Sequence, residues 1–86
     1  MPTIAVFYGI VITMFANDHP PPHFHATYGE FLAIIEIETG RLIRGRLPRP
    51  QFAGVEIWRQ QHVAELMENW ALCRAKQLPK RIQPLP

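Results

Sequence analysis

Nine prolines, at positions 2, 20–22, 48, 50, 79, 84 and 86, cut this 86-residue chain into segments. Proline fixes φ and has no N–H to give to a ladder or a helix interior. Regular elements therefore have to fit between these positions, chiefly within residues 3–19, 23–47 and 51–78. In the first window, β-branched and aromatic residues dominate Thr3–Phe7 and Ile10–Phe15, separated by Tyr8-Gly9. That composition predicts two strands and a tight turn. The second window predicts three more strands: about His23–Tyr28, ended by Gly29-Glu30, then Phe31–Glu38 and Leu42–Leu47 joined across Thr39-Gly40.

The faces of the last hairpin argue for its register. Phe31, Ala33, Ile35 and Ile37 alternate with Leu32, Ile34, Glu36 and Glu38, so the odd-numbered set is read as core. A two-residue loop would pair Ile35 with Arg44 and bury an arginine. A three-residue loop instead puts Ile43 and Leu47 with the core set, and Arg44 and Arg46 with Glu36 and Glu38. One residue of slip reverses every face, so the three-residue loop is predicted.

Beyond Pro50 the apolar period lengthens to about 3.6. Phe52, Val55, Trp58, Val63, Leu66, Met67, Trp70 and Cys73 form one stripe. Glu56, Gln60, Gln61, Glu65, Glu68 and Asn69 supply much of the polar side. Pro50 suits a first helical turn and Pro79 marks the end, which predicts one helix from about Gln51 to Gln77. At 1.5 Å per residue it would be roughly 40 Å long. The expected architecture is α+β: an antiparallel meander of about five strands with one long C-terminal helix packed on one face. Residues 1–77 form the single domain, and residues 78–86 read as a flexible tail.

A chain of this size has a thin stability margin, yet 48% hydrophobic residues exclude disorder over most of it. The lone Cys73 cannot close a disulfide within a monomer, which fits a reducing, cytoplasmic location. The apolar opening lacks a basic n-region and is interrupted by Tyr8-Gly9, so no membrane segment is expected. Residues 1–40 hold four acids and no Lys or Arg, a charge of −4; residues 41–86 hold nine basic residues and three acids, a charge of +6. Such asymmetry marks either a nucleic-acid or acidic-protein surface, or two halves that neutralise each other across the fold. The second is favoured, because six excess charges are few for a nucleic-acid binder.

The segment "NDHPPPHFHA", residues 17–26, concentrates three histidines. A polyproline-II path over Pro20–Pro22 would start His19 and His23 roughly 12 Å apart. His23 and His25, on a strand, project from one face and are close enough to grip one ion or one phosphate. As metal ligands they lack an obvious third partner; Asp18, Glu36 and Glu38 are the candidates, so no cofactor is assigned beyond this weak divalent-metal option. As general acid and base they lack an accompanying nucleophile or carboxylate dyad. The bland reading ranks first: rigid prolines set the start of a strand, and the imidazoles hydrogen-bond locally. Trp58 and Trp70 are read as core, Cys73 as buried rather than reactive, and His62 has no assigned role.

The opening "MPTI", the aromatic hairpin after it and HPPPHxH resemble a family of small bacterial proteins catalogued as a domain of unknown function, family 4160. His19, Pro20, Pro21, Pro22, His23 and His25 meet the HPPPHxH string, with Phe24 at its variable place. The resemblance spans roughly residues 1–75 and implies a helix with an apolar stripe at the end. It also implies a component of a toxin–antitoxin pair, since members are often encoded beside a second small protein. The stretch "GRLIRGRLPRPQFAG" departs from the family's usual hairpin-to-helix connection.

With His23 and His25 expected on the outer sheet face beside Leu32, Ile34, Glu36, Arg44 and Arg46, the first functional expectation is a binding module. It would act through a protein partner or self-association, with His19, His23, His25, Arg44 and Arg46 holding a partner or a phosphate. The alternatives are an RNA-directed ribonuclease toxin, with His23 and His25 moving protons and Arg44 and Arg46 holding phosphate, or a metal-binding module on His23 and His25.

Overall fold

The structure is a computed structural model that describes residues 2–86; Met1, the first residue of the MPTI string, lies outside the described residues. Five strands form the expected meander: β1 (Thr3–Phe7), β2 (Ile10–Thr13), β3 (His23–Tyr28), β4 (Phe31–Glu36) and β5 (Leu42–Gly45). Each pairs antiparallel with its sequence neighbour, in the order β1-β2-β3-β4-β5. One face carries Ile4, Phe7, Ile10, Ile12, Phe24, Ala26, Ala33 and Ile35, all buried beneath the helical layer.

The helical part corrects the sequence expectation. In place of one helix there are two, α1 (Arg49–Gln61) and α2 (Val63–Arg74), with His62 between them at φ −131° and ψ 25°. The reason is size. The molecule's longest dimension is 33 Å, and a straight helix of roughly 40 Å would overhang the sheet and leave its last turns bare. The bend keeps both tryptophans buried: the Trp58 ring lies over the core, 5.4 Å from Phe7 and 5.8 Å from Phe24, while Trp70 lies 5.2 Å from His23. His62 serves both helices, donating its N–H to the Arg59 carbonyl and accepting from the Leu66 N–H.

The β4–β5 register also differs from the three-residue-loop expectation. Ala33 pairs with Gly45, Ile34 with Arg44 and Ile35 with Leu42, so Ile43 is an extra, bulged residue. The turn closes through the Glu36 N–H to the Arg41 carbonyl at 2.9 Å. Gly45 makes the bulge possible: its φ is +76°, and a Cβ there would sit 1.9 Å from the Leu32 carbonyl oxygen. Most of the faces survive the shift, with Ala33, Ile35, Ile37 and Leu47 buried and Arg44 exposed, but Ile43, expected in the core, is only half-buried and Leu42 takes the place opposite Ile35.

Two polar residues lie deeper than the helical pattern predicts. Arg59 is buried and donates to the Ile37 and Glu38 carbonyls at 2.7 and 3.3 Å while pairing with Glu56. Asn69, expected on the polar side, is buried; its amide exchanges two 2.8 Å hydrogen bonds with the Lys80 backbone. Residues 78–86 have no regular secondary structure but lie against the domain. Ile82 is buried and donates its N–H to the Ile4 carbonyl, and the Gln83 carbonyl accepts from the Trp58 indole N–H at 2.9 Å. Among the described residues, no helix is long and apolar enough to cross a membrane.

A candidate metal centre

Strand alternation places His23 and His25 on the side of β3 opposite the fully buried Phe24 and Ala26. The connection after β2 then folds back on itself, with the Asp18 N–H reaching the Phe15 carbonyl at 3.5 Å. The result is a triad. Asp18 Oδ2 lies 3.3 Å from His23 Nε2 and 3.3 Å from His25 Nε2, and the three ligand atoms all fall within 4.8 Å of one another.

Neighbours on several elements wall the triad in. Phe15 meets the His25 ring edge-on at 4.8 Å, Trp70 of α2 covers His23, and Arg74 donates to the Asp18 carbonyl at 3.3 Å. His23 is therefore not the free outer-face residue the sequence suggested: it is buried at the end of the sheet, beside a tryptophan. The pairing with His25 on one side of the strand stands, and the two rings are 5.5 Å apart.

The state of the imidazoles follows from their contacts. His23 Nδ1 lies 2.8 Å from the Pro21 carbonyl, which can only accept, so Nδ1 carries the proton and a neutral ring leaves the Nε2 lone pair facing Asp18. Burial pushes the His25 imidazole below its ordinary range, and the neighbouring His23 adds to that; the Asp18 carboxylate opposes both. A neutral imidazole is the form that ligates a metal.

Asp18 Oδ2 and His25 Nε2 are buried and have no hydrogen-bond partner, although they are 3.3 Å apart. Ligands at 2.0–2.1 Å from a tetrahedral ion are about 3.3–3.4 Å apart. Both carboxylate–imidazole separations match that edge. The imidazole–imidazole edge, at up to 4.8 Å, would contract by at most about 1.5 Å on binding.

The other expected site residues disperse. His19 is exposed and outside the triad. Glu36 stands opposite His23 but binds Arg41 and Thr39, and Glu38 is exposed. Arg44 lies in the row Thr13–His25–Ile34–Arg44, two strands from His25, or about 10 Å at the usual strand spacing. Arg46 lies over the Phe31 ring at 5.0 Å. The Pro20–Pro21 peptide bond is cis, whereas the expected polyproline-II path is all trans. The local histidine hydrogen bond of the bland reading is present, in His23–Pro21. Asp18 was one of three acid candidates in the sequence, and the chain fold alone selects it.

A family model described as "Domain of unknown function (DUF4160)" matches residues 9–71, a span that contains the triad and both tryptophans. No curated protein and no solved structure matches the chain.

Proposed function

The chain belongs to this family of unknown function, and we propose that it is a metal-binding module holding one divalent transition ion on Asp18, His23 and His25. The carrying observation is the pair of buried, unpartnered ligand atoms, Asp18 Oδ2 and His25 Nε2, set at coordination spacing. Leaving such atoms bare is costly, because each loses water without gaining a partner. Two imidazoles and a carboxylate suit zinc or ferrous iron better than magnesium or calcium, which prefer all-oxygen shells. A filled site would tie the loop before β3 to the strand itself.

Untagged protein loaded with zinc and then desalted should retain about one equivalent per chain, and Asp18→Ala and His25→Ala should retain almost none. Empty wild-type protein, or retention in either variant equal to that of wild type, would sink the reading.

A binding module of a toxin–antitoxin-like pair is the second reading. Leu32, 46% exposed, and the exposed Arg44 support it, lying on the sheet face that the helices leave open. The ribonuclease alternative has less support, since Arg44 and Arg46 do not stand beside the imidazoles.

A further inference from the structure

The two edges of the sheet are finished differently. Along β1 the chain covers its own edge: the Ile82 N–H donates to the Ile4 carbonyl at 2.8 Å, and Arg81 reaches the Thr3 carbonyl. Along β5 no segment does so among the described residues. β4 is its one strand neighbour among the described residues, and three of its four residues are exposed. Beside it, Leu42, Leu47, Phe52 and Ala53 line an apolar groove of about 480 Å³, with Arg46 and Arg49 at its rim.

The charge of this edge is one-sided. Arg44, Arg46 and Arg49 are exposed, and among the described residues none forms an ion pair. Of the acids around this edge, Glu36 pairs with Arg41 and Glu56 with Arg59, while Glu30 and Glu38 are exposed and, like the arginines, in no ion pair among the described residues. An uncovered edge offers a row of backbone donors and acceptors, and a strand laid on it places alternate side chains to opposite sides.

We propose that the β5 edge and the adjoining groove accept an extended acidic segment of a partner protein as a sixth strand. Its backbone completes the ladder, its apolar side chains enter the groove, and its acidic side chains meet Arg44 on the opposite face and Arg46 and Arg49 at the groove's rim. A second copy of this chain fits worse, because edge-to-edge pairing would bring two sets of unpaired arginines together. The inference is independent of the metal centre.

The test uses an array of nine-residue peptides alternating apolar with acidic residues, beside matched apolar–basic and apolar–neutral arrays. Acidic members should bind and shift the backbone amide resonances of β5. The double variant Arg44→Glu, Arg49→Glu should bind them at least about ten-fold more weakly and prefer the basic array, with an unchanged melting temperature. His25→Ala should bind like wild type. The proposal is overturned if no acidic member binds at about 1 mM, if all arrays bind alike, if shifts fall outside β5, or if the protein alone dimerises through this edge.

Discussion

Arg59 shows how much one side chain can hold in a domain this small. It neutralises Glu56 and satisfies two carbonyls of the β4–β5 turn from a buried position. Arg59→Leu would leave a half-buried carboxylate and those carbonyls without their donor, and should destabilise the fold by about 3 kcal/mol in urea denaturation. Asp18→Asn tests the triad at the same scale. It keeps the shape and removes the charge, so zinc affinity should fall at least about ten-fold by competition titration while metal-free stability changes little. Cys73 makes a third test. Burial, aided by the Asp18 charge, pushes its thiol up, and a group raised in the folded state favours folding most at pH values below its unfolded pKa. Near pH 8 the folded protein should therefore react slowly with a thiol reagent and the urea-unfolded protein rapidly. Equal rates would show the thiol to be open.

At the scale of elements, the strands were legible because a period of two is a local property of sequence. The helix break was not. His62 is neither glycine nor proline, and the need for a bend comes from the 33 Å length of the body. The bulge of β5 lies between these cases, since Gly45 was visible but its close approach to Leu32 was not. Two glycines with positive φ separate conformation from contact. At Gly29, φ is +56° and an added Cβ meets nothing within 4 Å; at Gly45 it meets a backbone oxygen. Gly29→Ala should cost about 1 kcal/mol from the backbone alone. Gly45→Ala should cost at least twice that, measured on the same denaturation scale. Equal costs would mean that the bulge relaxes freely.

For the whole molecule, the expected neutralisation between halves is slight. Arg41–Glu36 is the one Lys or Arg ion pair that reaches an acid of the first forty residues among those described, and Arg44, Arg46 and Arg49 stay unpaired on the surface at or beside β5. The last nine residues matter more than their composition suggests. Deleting residues 78–86 removes Ile82 from the core, strips Asn69 of its partners and uncovers the Trp58 indole N–H. The burial of one isoleucine and the pairing of one buried amide together account for about 3 kcal/mol or more. The truncated protein should melt more than about 10 °C lower. An unchanged melting temperature would favour the reading of these residues as a loose tail.

Sequence by itself determined the α+β class, the strand order of the meander, the core face of β4 and the pairing of His23 with His25. Each of these follows from side-chain alternation or from where proline forbids an element, and both act over a few residues. Tertiary structure alone decided that Asp18 completes the triad, that His23 lies under Trp70, and that one helical stripe becomes two helices. Those outcomes depend on how an aperiodic loop folds back and on how much length a small core can cover, and neither is written in any local pattern.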